Sequence, residues 1–259
     1  MELKLYQIDA FANKAFEGNP AAVCPLDEWL PDNLLQAIAM ENNLSETAYF
    51  VATENGYHLR WFTPLAEIDM CGHATLATAY VLFNILGCGK SEISFETRSG
   101  TLRVACKGEW LEMDFPAQIP VECDIPEQII KAFGVAPHQC LRSMDYIVVF
   151  DDEETVRSAK PNFMLLSELD LRGVAITSRS RNYDFVTRFF APKFGINEDP
   201  VTGSVFTQLV PFWSNILDKT ELITKQVSFR GGEAKCTLQG DRVKISGKAA
   251  QYMVGTIEI

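Results

Sequence analysis

The chain is predicted to be an α+β protein of two pseudo-symmetric lobes, each a curved, barrel-like β-sheet wrapped on one central buried helix. Three features predict it. Cys71-Gly-His-Ala-Thr-Leu-Ala-Thr-Ala-Tyr-Val-Leu-Phe-Asn-Ile-Leu86 is helix-compatible and apolar on nearly every side, the pattern of a helix buried all round. A second run, Thr202-Gly-Ser-Val-Phe-Thr-Gln-Leu-Val-Pro-Phe-Trp-Ser-Asn-Ile-Leu217, repeats it, with Gly matching Gly and Asn-Ile-Leu matching Asn-Ile-Leu at a spacing of 131, 203 − 72. The flanking blocks recur in the same order: Arg60-Trp-Phe-Thr-Pro64 with Arg188-Phe-Phe-Ala-Pro192, Ser94-Phe95 with Ser228-Phe229, and Gly108-Glu-Trp-Leu-Glu-Met113 with Gly240-Asp-Arg-Val-Lys-Ile245, at offsets of 128 to 134. Such ordered self-similarity marks a duplicated chain. It divides into lobes at 1–114 and 115–249, and the last strand, 250–259, either closes the second lobe or crosses back to complete the first.

In the first half, Leu3, Leu5 and Ile8 start a strand that turns at Glu17-Gly-Asn-Pro20 into the apolar run Ala21–Cys24. Pro31–Met40, with Leu34, Leu35 and Ile38 on one face, reads as an amphipathic surface helix, and Leu44–Val51 as a strand. Period-two alternation puts Glu46 on the face of Leu44, Ala48 and Phe50, where burial would raise its pKa; a solvated turn glutamate is the ordinary alternative. Strand Tyr57–Phe62 feeds the first core helix, which is expected to run about four turns and stop at a left-handed Gly87. Gly87-Cys-Gly-Lys-Ser91 resembles the tail of a phosphate loop but follows its helix instead of introducing it, and Asn84 stands where that motif needs glycine. Strands at 92–96, 101–106 and 110–115 finish the half, and Asp114–Pro120, with two prolines, reads as the linker.

The second half reads as a short helix at 126–133 ending on Gly134, a buried strand at 146–150, helices at 152–159 and 162–169, and strands at 173–177 and 183–190. After the second core helix, strands are expected at 226–229, 233–238, 242–246 and 254–259.

Composition narrows the function. With 47% hydrophobic residues over 259 positions, two cores are available, and a formal charge of −11 with no basic stripe excludes a nucleic-acid or anionic-membrane surface. Neither core run is long enough for a membrane span of roughly 20 apolar residues. A small-molecule substrate, anionic in character, is the expected partner. Seven scattered cysteines without a C-x-x-C pair, and no signal peptide, read as reduced thiols in the cytoplasm.

The start of each core helix is where chemistry is expected. Unpaired N–H groups and the positive end of the helix dipole attract anions, and glycine lets a ligand approach the backbone. Gly72 beside His73, and Gly203 beside Ser204, repeat that arrangement. If the lobes face each other, both ends aim at one cleft, suited to a carboxylate or a developing enolate. No nucleotide fingerprint, serine elbow or metal-ligand spacing among His58, His73 and His138 is present, so proton transfer with no cofactor and no metal is the chemistry that fits. A two-thiol racemase is short of one arm, since Cys71 is answered by Thr202. Glu46 and Glu198-Asp199 supply acids instead.

Taken together, Glu17-Gly-Asn-Pro-Ala-Ala-Val23, Asn43-Leu-Ser-Glu-Thr-Ala48, Arg60-Trp-Phe-Thr-Pro64, Cys71-Gly-His-Ala-Thr-Leu-Ala77 and Glu198-Asp-Pro-Val-Thr-Gly-Ser204 resemble the phenazine-biosynthesis (PhzF-like) isomerases of diaminopimelate-epimerase fold. The resemblance runs from the first strand to the last. It implies two similar lobes, a cofactor-independent isomerase moving a proton on a small carboxylated molecule, and often a homodimer. It also implies roles: Glu46 as general acid/base, His73, Asp199 and Ser204 positioning substrate and stabilising charge, and Asn19, Cys71, Gly72, Thr202 and Gly203 as binding contacts. Where many relatives continue Ser-Ala-His-Cys, this chain has Ser204-Val-Phe-Thr207, which implies a more apolar wall. A helix start disfavours imidazolium, so His73 is expected to be neutral. Two other readings stay open: an epimerase using Cys71 with Asp199, and a non-catalytic binding or interaction protein on the same fold.

Overall fold

The computed structural model describes residues 1–259. It is a mixed α/β chain, mostly sheet with few helices, as the sequence predicts, and it divides into two compact units: Met1–Asp114 with Ser246–Ile259, and Phe115–Ile245. No helix is long and apolar enough to cross a membrane.

The first unit contains β1 (Glu2–Ala10), β2 (Asn19–Leu26), α1 (Asp32–Asn42), β3 (Glu46–Ala52), β4 (Tyr57–Phe62), β5 (Glu67–Ile68), α2 (Gly72–Tyr80), β6 (Glu92–Thr97), β7 (Gly100–Lys107) and β8 (Trp110–Pro116). Antiparallel β1–β2 and β3–β4 alternate with parallel β2–β3 and β4–β6. Each parallel pair needs a crossover, and α1 and α2 supply the two. The closing strand, Ala249–Glu258, pairs antiparallel with β1. Leu35, Ile38 and Ala39 of α1 pack on Leu5, Ala22, Cys24, Tyr49 and Phe62, each such burial of a large side chain contributing about 1.5–3 kcal/mol.

The second unit contains β9 (Val121–Glu122), α3 (Glu127–Phe133), β10 (Gln139–Arg142), β11 (Tyr146–Val149), α4 (Glu153–Ser158), α5 (Phe163–Ser167), β12 (Val174–Arg179), β13 (Phe185–Ala191), β14 (Ile196–Asp199), α6 (Gly203–Leu217), β15 (Glu221–Gln226), β16 (Gly232–Gln239) and β17 (Arg242–Gly247). Its pairings repeat the first unit's alternation: antiparallel β10–β11, parallel β11–β12, antiparallel β12–β13, parallel β13–β15. The duplicated arginine has one job in both units. Arg60 forks onto Glu67 at 2.7 and 2.8 Å and lies over Phe62 at 5.1 Å, while Arg188 forks onto Glu198 at 2.7 and 3.0 Å and lies over Phe190 at 5.1 Å. Each clamp ties a long strand to the short return strand before a core helix, β4 to β5 and β13 to β14.

Several sequence expectations are corrected. The first core helix is α-helical only to Tyr80; Val81–Ile85 form a π turn, with Leu86 N–H donating to Val81 O at 2.9 Å. The extra residue per turn rotates the run, so Val81 and Leu82 stay buried while Asn84 and Leu86 face out, and burial all round ends there. Gly87 does adopt the left-handed conformation, at φ +65°. The strand expected at 226–229 lies earlier, at Glu221–Gln226, and Ser228–Gly231 is a turn closed by the Ser228 hydroxyl. Its buried face carries Leu222, Thr224 and Gln226, two of them polar, which hid the alternation. The short strands β5, β9, β10 and β14 carry no such periodic signal and were not expected.

Candidate functional site

Glu46 opens β3, Asn19 opens β2, and Cys71-Gly72-His73 opens α2. The parallel pairing of β2 with β3, Ala21 opposite Glu46, sets Asn19 and Glu46 at the same end of neighbouring strands. The turn before Asn19 demands glycine: Gly18 has φ +67°, and a Cβ there would lie 2.0 Å from Ala10 O. Both facts bring the side chains to the start of α2.

There, His73 Nε2 lies 2.7 Å from Glu46 Oε2, and both side chains are more than nine-tenths buried. No atom of the chain makes an aligned hydrogen bond to Oε2, so the contact is an ion pair whose angle leaves an acceptor site unfilled. On the other ring nitrogen, Nδ1 is 3.3 Å from Asn19 Nδ2, and the Ser45 hydroxyl donates to Asn19 Oδ1 at 3.1 Å. The Asn19 amide serves the ring as donor when imidazole is neutral and, turned over, as acceptor when it is charged. Cys71 Sγ stands 3.6 Å from Nδ1.

The expectation of a neutral His73 is corrected. Burial by itself lowers the ring's pKa, but negative charge beside the ring, from Glu46 and from Cys71 when ionised, outweighs it, and the pKa is held well above the ordinary value. Cys71 is not the source of that charge at neutral pH, because burial and Glu46 push its own pKa up against the pull of His73. The Glu46 carboxylate is. The helix start opposes a positive charge by about 0.3–1 kcal/mol, whereas an ion pair at about 4 Å is worth about 4 kcal/mol even at an effective dielectric of about 20. The ion pair wins.

In the second unit, Asp199 ends β14 and Thr202 caps α6 ahead of Gly203 and Ser204. The Thr202 hydroxyl donates to Asp199 Oδ2 at 2.5 Å, and Gln226 bridges the same corner, its Oε1 accepting from Thr202 N–H at 3.0 Å and its Nε2 donating to Asp199 O at 2.6 Å. Ser204 accepts from Arg172 Nη2 at 3.0 Å. Arg172 forks onto Asp145, 2.9 and 2.6 Å, and Gln208 donates to that carboxylate at 2.6 Å while accepting from Asp145 N–H at 3.1 Å. Glu198, beside Asp199, is committed to the Arg188 clamp.

Within the first unit, then, Glu46, His73, Cys71, Gly72 and Asn19 converge, and within the second Asp199, Thr202, Gly203 and Ser204 do. The sequence reading missed Ser45, Arg172, Asp145, Gln208 and Gln226. One signal was present for Arg172: Leu171-Arg172-Gly173 stands 127 residues after Leu44-Ser45-Glu46, near the other repeat offsets. The sheet register makes the same match, since Thr47 lies opposite Phe62 and Val174 opposite Phe190. Gly173 therefore occupies the place of Glu46, and a Cβ there would meet Phe190 O at 2.7 Å and the Phe189 ring at 2.5 Å. Gly173→Ala is expected to lose about 1–3 kcal/mol of stability, read as a lower urea midpoint at unchanged slope; an unchanged midpoint would show that the backbone there gives way freely.

The side-chain donors of Glu46, Cys71 and His73 lie within 4.8 Å of one another and form a set that can hold a metal ion. Asp199 and Ser204 belong to no such group.

The chain resembles known proteins along its whole length. The family model described as phenazine biosynthesis-like protein, PhzC-PhzF, matches residues 8–255. An uncharacterized isomerase of Pseudomonas aeruginosa is 53% identical over 259 residues, covering 100% of both chains. The crystal structure of a phenazine biosynthesis protein of the PhzF family from Enterococcus faecalis superposes with a TM-score of 0.98 at 45% identity, covering 100% of both chains. A hydroxyproline epimerase from Agrobacterium vitis, at 9% identity and a TM-score of 0.64 over 99% of this chain and 92% of its own, shares the fold alone.

Proposed function

Since this chain belongs to the PhzC-PhzF, phenazine biosynthesis-like family, we propose that it is an isomerase that moves a proton between carbons of a small carboxylated substrate, with Glu46 as the acid/base. A relative at 53% identity is named an isomerase, though an uncharacterized one, and supports the reaction class. The observation that carries the reading is Glu46 itself: a buried carboxylate beside the imidazolium of His73, with an acceptor position on Oε2 that nothing in the chain fills. A carboxylate so placed can take a proton from a substrate carbon while the electron pair spreads into the adjacent unsaturated or carboxylate system. The proton taken onto Glu46 exchanges with solvent before Glu46 protonates a different carbon, so atoms and charge balance with no co-reactant. His73 holds the Glu46 carboxylate in place by its 2.7 Å contact, and Asn19 and Ser45 orient the ring. The resemblance implies positioning roles for Asp199 and Ser204.

The test is hydrogen exchange. Candidate carboxylated substrates incubated with the protein in heavy water are expected to gain deuterium at carbon, followed by NMR. A non-catalytic binding protein would bind them and exchange nothing.

The thiol-based epimerase is the second reading, and the raised pKa of Cys71 weighs against it, because a neutral thiol is a poor base. Cys71→Ser is expected to retain exchange within about threefold of wild type, and a chelator is expected to leave it intact. Loss on Cys71→Ser alone would assign the reaction to the thiol, and loss with chelator would make Glu46, Cys71 and His73 a metal centre.

A further inference from the structure

We infer that Arg172 is the anion anchor of the second unit, binding a substrate carboxylate at the start of α6. Three observations meet on it. Its Nε and Nη2 are fixed by a fork onto Asp145, which is wholly buried and is held in turn by Gln208, one turn along α6 from Ser204. The guanidinium is therefore set in place before any ligand arrives, over the Phe189 ring at 5.3 Å. Second, the arginine is open on its other side: 33% of its side chain is exposed although its partner has none, and Nη1 has no hydrogen-bond partner in the chain. Third, Nη2 reaches the Ser204 hydroxyl at 3.0 Å, so the free N–H groups of the guanidinium, the hydroxyl and the first unpaired N–H groups of a 15-residue helix lie together. Such a set of donors matches the two oxygens of a carboxylate.

The duplication explains why the cation stands there. Ser204 occupies the place of His73, Arg172 that of Ser45 and Gly173 that of Glu46. One half carries an acid beside its helix start; the other has glycine in that place and a fixed cation one residue earlier. The two halves have divided the labour, proton handling in one and charge recognition in the other. Only the naming of the ligand as the substrate rests on the proposed function; the anion site stands on its own geometry.

The experiment uses the full chain, with anthranilate, benzoate and succinate as carboxylate probes and 2-aminobenzamide as the uncharged match of the first. Binding is followed by ligand-observed NMR in wild type, Arg172→Gln, Arg172→Lys and Glu46→Gln. At least one carboxylate is expected to bind with a dissociation constant below about 10 mM, to weaken by about tenfold or more in Arg172→Gln, and to recover in part in Arg172→Lys, which keeps the charge and loses the fork. The amide is expected to bind wild type and Arg172→Gln alike, and Glu46→Gln is expected to lose exchange while keeping carboxylate binding. Should Arg172→Gln fail to fold, the Arg172 Nε–H signal of wild type, assigned with Arg172→Lys, is expected to shift on addition of the carboxylate. Equal binding to wild type and Arg172→Gln, a static Nε–H signal, or no carboxylate bound below about 10 mM would each overturn the inference. Because binding is read separately from exchange, absence of exchange with intact Arg172-dependent binding would sink the proposed reaction and leave the anchor standing.

Discussion

Glu46→Gln is expected to lower deuterium incorporation into substrate by about 10²–10⁴-fold, the range associated with a positioned acid/base, while leaving the fold intact. The amide keeps the size of the carboxylate and removes its basicity. Since Glu46 sits 2.7 Å from His73, the substitution also removes the charge that keeps the ring protonated, and burial then favours neutral imidazole. That gives a second signature, in stability against pH. In wild type the His73 pKa is raised, so its contribution to stability is fully present below the ordinary histidine value of about 6.5 and is lost as pH rises through the folded-state value. The gap in melting temperature between wild type and Glu46→Gln should therefore be widest near about pH 6 and narrow as the solution is made alkaline. A variant that exchanges at the wild-type rate would end the case for Glu46, and a gap that widens with pH would show that His73 is not the cation.

Asp145→Ala is expected to cost about 3 kcal/mol of stability, the lower end for breaking a buried ion pair. The removed carboxylate is wholly buried and accepts from Arg172 twice and from Gln208 once, so three donors lose their acceptor. The lower end applies because Arg172 is a third exposed and water can reach its open side. Asp145→Asn keeps a carbonyl acceptor and is expected to lose less. Urea unfolding measures both, and an unchanged midpoint for Asp145→Ala would mean that the arginine is not held by this pair.

How far the site could be read in advance differs between its two halves. Glu46 could be placed because its strand neighbours, Ala48 and Phe50, are apolar and because the motif Asn43–Ala48 resembles a family pattern. His73 could be placed and its charge could not: the sequence shows a histidine at a helix start, where the dipole favours the neutral ring, and says nothing of a carboxylate 27 residues upstream, 73 − 46, lying 2.7 Å away. Arg172 drew no notice, because an arginine between Leu171 and Gly173 looks like any surface cation until Asp145 and Gln208 are seen to fix it.

By itself the sequence determined the duplication, the two glycine-started core helices and the α+β class, because hydrophobic period and repeat spacing are local properties that survive without coordinates. Tertiary structure alone decided which polar groups meet: the Glu46–His73 pair, the Asp145–Arg172–Gln208 network, the π turn after Tyr80 and the pairing of the closing strand with β1. The physical reason is that a buried charge takes its character from partners distant in the chain, and distance along the chain carries no information about the electrostatics of a packed interior.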